Sequence, residues 1–79
     1  MASTCSLYKH GILLGTGSCS AASASITSYS GTAPGPGRNV NVVVTQAGTH
    51  AGRSWKARVT AGSGTATLTI SEKCPYVGA

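Results

Sequence analysis

The run "RNVNVVVTQ" is the most regular stretch of alternation in the chain. Val40, Val42 and Val44 fall on one side of an extended backbone, with Asn39, Asn41, Val43 and Thr45 on the other. A period of two predicts a half-buried β-strand. The segment "RSWKARVTAGSGTATLTIS", residues 53–71, repeats the pattern twice. Trp55, Ala57 and Val59 share one face of its first half, and Ala66, Leu68 and Ile70 share one face of its second. The glycines of the "AGSGT" connection suit a tight turn with positive φ, so the pair reads as a β-hairpin. Upstream, "KHGILLG" and "CSAASASITSY" predict two further strands, joined through the glycines of "GTGS". The second of these sets Ala22, Ala24 and Ile26 against Ala21, Ser23, Ser25 and Thr27. No stretch carries a helical period.

The punctuation between these runs sets the architecture. Residues 31–38, "GTAPGPGR", crowd prolines and glycines into a loop, and "QAGTHAGRS" reads as a second loop. Pro75 keeps the last strand from continuing as a central strand. Five to six short strands with turns every eight to twelve residues (about the spacing of small β folds) predict an all-β, small antiparallel sandwich or barrel ending in a hairpin. The 79 residues then form a single β domain, 1–79. Residues 1–8 are expected to be an N-terminal arm, 31–38 a Pro/Gly loop and 74–79 a C-terminal tail.

Composition adds a constraint on stability. Ala, Gly, Ser and Thr dominate, there is no Phe, and the sizeable apolar side chains are few. A domain this short buries only about 60% of the surface its unfolded chain exposes. Such scaffolds gain stability from disulfides, a metal or assembly. The odd count of three cysteines, Cys5, Cys19 and Cys74, gives no closed disulfide framework. Buried thiols are the first expectation in a reducing cytoplasm, and one bridge plus one thiol the second. A zinc set of Cys5, His10, Cys19 and Cys74 fits no standard ligand spacing, so neither metal nor cofactor is expected.

Charge excludes more than it identifies. Six basic residues face one acidic residue, Glu72, for a net charge of +5. Without paired carboxylates there is neither glycosidase-type acid–base chemistry nor a carboxylate cage for Mg²⁺, and no phosphate-binding glycine motif occurs in the right context. The expectation is a non-enzymatic protein. The cations are dispersed, which suits a solvated or partner-facing surface more than a nucleic-acid patch. Trp55 beside Lys56 and Arg58 has the makings of a stacking site for single strands. The alternation, however, turns Trp55 to the core and both cations outward. No apolar run approaches the length of a membrane helix or a leader's apolar region, so neither a membrane partner nor a leader is expected.

Thin core, small-residue strands and a Pro/Gly loop fit a subunit stabilised by its neighbours. In length, composition and the strand–hairpin run over 38–71, the chain resembles the small all-β accessory proteins of tailed-phage virions, notably capsid decoration (cement) proteins. The resemblance implies a protein made in a host cytoplasm and located in the virion. It would bind a protein lattice, copies of itself or both, and reinforce the shell, its basic surface complementing an acidic one. The candidate partner-binding residues are Leu7, Tyr8 and Lys9 on the arm, Arg38 at the loop, Arg53, Lys56 and Arg58 on the hairpin, and Tyr76 on the tail. Two alternatives stand beside this reading. One is a small basic nucleic-acid-binding barrel using Arg38, Arg53, Lys56 and Arg58, and the other is a secreted, disulfide-stapled β-domain.

Overall fold

The computed structural model describes residues 3–19, 24–46, 48–62, 67–72, 74 and 76. It is an all-β closed barrel of six antiparallel strands. The strands are β1 (Ser3–Lys9), β2 (Ile12–Cys19), β3 (Ser25–Gly31), β4 (Asn39–Val44), β5 (Ser54–Gly62) and β6 (Thr67–Ile70), with a 3₁₀ turn at Gly48–His50. Strands β1–β3 form one meander and β4–β6 a second. The seams β1–β4 and β3–β6 join them into the cyclic order β1-β2-β3-β6-β5-β4. Among the described residues, closure leaves no edge strand to pair with another chain.

The expected valine alternation in β4 holds: Val40, Val42 and Val44 are buried, whereas Asn39 and Asn41 are exposed. The hairpin over 53–71 also holds where it is described. Ala57, Val59, Leu68 and Ile70 point into the barrel, while Lys56, Arg58, Thr67 and Thr69 face out. Ala66 and most of the "AGSGT" connection lie outside the described residues.

The N-terminal third differs from expectation in three ways. The arm expected over 1–8 is, from Ser3 onward, strand β1, paired with β2 on one side and β4 on the other. The chain places it there because Cys5 and Leu7, both fully buried, supply core volume that a free arm would waste. The strand expected across "KHGILLG" is broken by a two-residue hairpin turn, with φ of 53° at His10 and 77° at Gly11. Two successive positive φ values match the right-handed twist of the flanking strands. Finally, the glycines of "GTGS" are not a connection but lie within β2.

Those glycines face inward. A Cβ on Gly15 would stand 2.6 Å from Cζ of Tyr29, and one on Gly17 would collide with the Ile26 side chain. The β2 glycines therefore hollow the wall so that the large side chains of β3 fit. Ser28, with φ of 54°, absorbs an extra residue at the irregular β2–β3 register. That bulge lets Ile26 and Tyr29, three positions apart, both reach the interior. Of the small-residue face expected for this strand, Ala24 is exposed, and 20–23 lie outside the described residues.

The first expectation for the cysteines is also corrected, since Cys5 and Cys19 form a disulfide. Antiparallel pairing of Cys5 with Gly17 and of Ser3 with Cys19 puts the two side chains on diagonal positions of one face. Their Cα atoms are 6.5 Å apart, within bridging reach. Closing a loop of this size removes unfolded-chain entropy worth about 3 kcal/mol in the chain-entropy account.

Two expected outcomes follow from the Gly15–Tyr29 contact. Gly15→Ala should lower the denaturant midpoint by the equivalent of about 1–3 kcal/mol, because Tyr29 or the Ser30 backbone must move; an unchanged midpoint would show that the wall has slack. Burial also raises the Tyr29 phenol above its ordinary 10.0. The unfolded chain then loses this proton at a lower pH than the folded one. The contribution is fully present below the unfolded pKa and is lost as pH rises through the folded pKa. Denaturation titrations from about pH 9 to about pH 11 should show falling stability, and Tyr29→Phe should flatten that slope.

Candidate functional site

The outer face of β2, β1, β4 and β5 carries one continuous cross-strand row. Leu13 pairs with Tyr8, Tyr8 with Asn41, and Asn41 with Lys56. Neighbouring strands lie about 4.8 Å apart, so the opposed positions of the row are cross-strand neighbours. The row thus runs from an apolar end through a phenol and an amide to a cation.

Hollows open on either side of it. A groove of about 710 Å³ is lined by Tyr8, Gly11, Asn41, Val43, Ser54, Trp55 and Lys56. A smaller one of about 300 Å³ is lined by Tyr8, Lys9, His10, Asn39, Val40, Asn41 and Lys56. Tyr8, Asn41 and Lys56 line both hollows, whereas Leu13 lines neither and stands at the end of the row.

Several of the residues expected to bind a partner gather here and others do not. Tyr8, Lys9 and Lys56 line the hollows. Arg58 is exposed two pairs along β5, opposite Asn39, and its guanidinium lies beside Gly37, next to the exposed Arg38. The 31–38 loop therefore joins the same end of the barrel as the β1–β2 turn. Leu7 faces the core and is wholly buried, so it cannot contact a partner; alternation along β1 makes Tyr8 and Leu7 opposite in direction. Arg53 is exposed but sits at the other end, where its N–H donates to the His50 carbonyl at 3.0 Å.

Two residues absent from the sequence-based list complete the surface. Ile12 and Leu13, at the start of β2, are 66% and 53% exposed. The signal that could have found them is the "HG" pair, which places the following apolar residues at a hairpin tip rather than mid-strand.

At the opposite end pack Cys74 and Tyr76. Tyr76 meets Trp55 edge to face, with ring centroids 5.7 Å apart, and stands 5.4 Å from His50. Its hydroxyl donates to the Ser54 carbonyl at 3.4 Å. Tyr76 is thus a packing residue of the described structure. Trp55 is half-buried and packs on the core, and its indole Nε1 is enclosed without a hydrogen-bond partner among the described residues. The burial pattern agrees with the outward turn of Lys56 and Arg58. Cys74 is buried at this same end, its sulfur within 4.8 Å of those of Cys5 and Cys19. His10 lies in the turn at the far end of β1, so the four-residue set Cys5, His10, Cys19 and Cys74 does not converge, but its three sulfurs do.

No helix among the described residues is long and apolar enough to cross a membrane. Because the chain has a single tryptophan, the packing of the tail can be read directly. Tyr76→Ala should shift Trp55 fluorescence to the red while leaving far-UV circular dichroism unchanged; unaltered emission would show that Tyr76 does not shield the indole.

No protein-family model, no curated protein and no solved structure matches this chain.

Proposed function

We propose that this protein is a non-enzymatic binding subunit of a larger protein assembly. It docks through the Leu13–Tyr8–Asn41–Lys56 row and the flanking cations onto an acidic protein surface. The observation that carries the reading is the exposed Ile12–Leu13 tip beside that row. Protein interfaces combine a desolvated apolar or aromatic anchor with a polar rim. Leu13 and Tyr8 supply the anchor, while Asn41, Lys56, Lys9 and Arg58 supply the rim. A phosphate backbone gains nothing from exposed Ile and Leu, and a stacking track needs more freely exposed aromatics than the half-buried Tyr8 and Trp55 offer here.

The basic balance selects the sign of the partner. With one acidic residue in the chain, little opposes attraction to a negatively charged surface. The resemblance to phage decoration proteins makes a capsid lattice the assembly we favour. The Cys5–Cys19 disulfide suits a protein that ends up on a virion exterior, where bridges persist. The same bridge also favours the secreted β-domain as a second reading, and its location outside any particle would separate the two.

The test is co-sedimentation with particles from the native source. Wild-type protein should band with the particle at fixed stoichiometry. Leu13→Asp and Lys56→Glu should each weaken occupancy by ~tenfold or more without loss of the β-barrel spectrum. Equal occupancy of both variants would sink the proposed surface. Retention on DNA with a steep salt slope, and no particle binding, would transfer the function to the nucleic-acid reading.

A further inference from the structure

The three cysteines are the densest chemistry in the molecule outside the proposed docking face. Cys5 comes from β1, Cys19 from the end of β2 and Cys74 from the segment after β6. They are 0%, 3% and 1% exposed, and their sulfur atoms all lie within 4.8 Å of one another. Strand pairing fixes the first two, and the C-terminal segment brings the third across the end of the barrel. Sequence separation conceals this, because the spacings match no metal-binding module.

We propose that the reduced protein holds one soft, thiophilic d¹⁰ cation of the Cu(I) type in a three-thiolate site formed by Cys5, Cys19 and Cys74. Thiolate sulfur selects such cations over hard ones. At a metal–sulfur distance of about 2.3 Å, three sulfurs in a plane around a cation are ~4 Å apart. The present cluster reaches that arrangement by small side-chain rotations once Cys5 and Cys19 are no longer bonded. Among the described residues, no histidine or carboxylate joins the three sulfurs. That donor set fits a three-coordinate cation rather than tetrahedral zinc. The net charge of +5 offsets the excess negative charge of three thiolates on a monovalent ion.

The site and the disulfide are alternative states of the same atoms. A dithiol reductant gives two electrons and two protons to the Cys5–Cys19 bond and leaves as its own cyclic disulfide. The incoming cation then displaces the protons of three thiols into solvent, forming three metal–sulfur bonds. Oxidation reverses the sequence, releasing the cation as the Cys5–Cys19 bond forms. Two electrons and two solvent protons pass to a disulfide-type oxidant that leaves as two thiols, and a third solvent proton returns to Cys74. This inference goes beyond the docking role and does not depend on it.

The experiment titrates the full chain anaerobically with Cu(I) in competition with a colorimetric Cu(I) chelator, before and after reduction. The reduced protein should take up one equivalent, and the disulfide form none. Bound Cu(I) should protect all three cysteines from alkylation, read by intact mass, and Cys74→Ser should lose the tight uptake. If reduction alone loosens the fold, Cu(I) should restore the β spectrum, because a ligand bound only by the ordered site stabilises it. The proposal is overturned by uptake below one equivalent, by equal uptake in the disulfide form or in Cys74→Ser, or by Cu(I) that leaves Cys74 open to alkylation. Preference for Zn(II) over Cu(I) in the same competition would overturn the three-coordinate assignment.

Discussion

Closure of the sheet rests on the short ladder between β1 and β4, in which Cys5, Ser6, Leu7 and Tyr8 face Val44, Val43, Val42 and Asn41. A chain this poor in large apolar side chains cannot cover both faces of an open sheet, so it curls until one face becomes an interior. The ladder makes that interior by tying the first meander to the second. It also sorts side chains: Cys5 and Leu7 go inside with Val42 and Val44, and Tyr8 goes outside beside Asn41. The core, the disulfide position and the outer row are therefore set by one register, and a slip of one residue would exchange them.

The outer surface inherits its chemistry from this sorting. Leu13, Tyr8, Asn41 and Lys56 are far apart in sequence, and only strand pairing makes them neighbours. The supporting wall is rigid by construction, since each member stands on a strand paired on both sides. Lys9, Arg58 and Arg38 widen the polar rim without adding acid.

The second half of the chain was legible and the first half was not, for a physical reason. In β4, β5 and β6 large apolar residues alternate with polar ones, so hydrophobicity reports direction. In β2 the relation is inverted: Ile12 and Leu13 are exposed, while Gly15 and Gly17 face inward beneath Tyr29 and Ile26. A glycine that makes room for a neighbour's ring looks the same in sequence as a glycine that makes a turn. The bulge at Ser28 further breaks the period of two in β3. The row itself could not be read beforehand, because it depends on cross-strand register. The meeting of Cys74 with Cys5 and Cys19 depends on the long-range pairing of β6 with β3.

That last meeting has a kinetic side. The Cys5–Cys19 pair lies within one hairpin, separated by 14 residues, and can form as soon as β1 and β2 pair. Cys74 follows the final strand and reaches the other two through the β3–β6 seam, a contact of high sequence separation and hence slow to form. Proximity of the third sulfur thus reports a long-range event of folding rather than a local one. A cell, or an experimenter, probing that sulfur reads whether a given molecule has brought its two ends together.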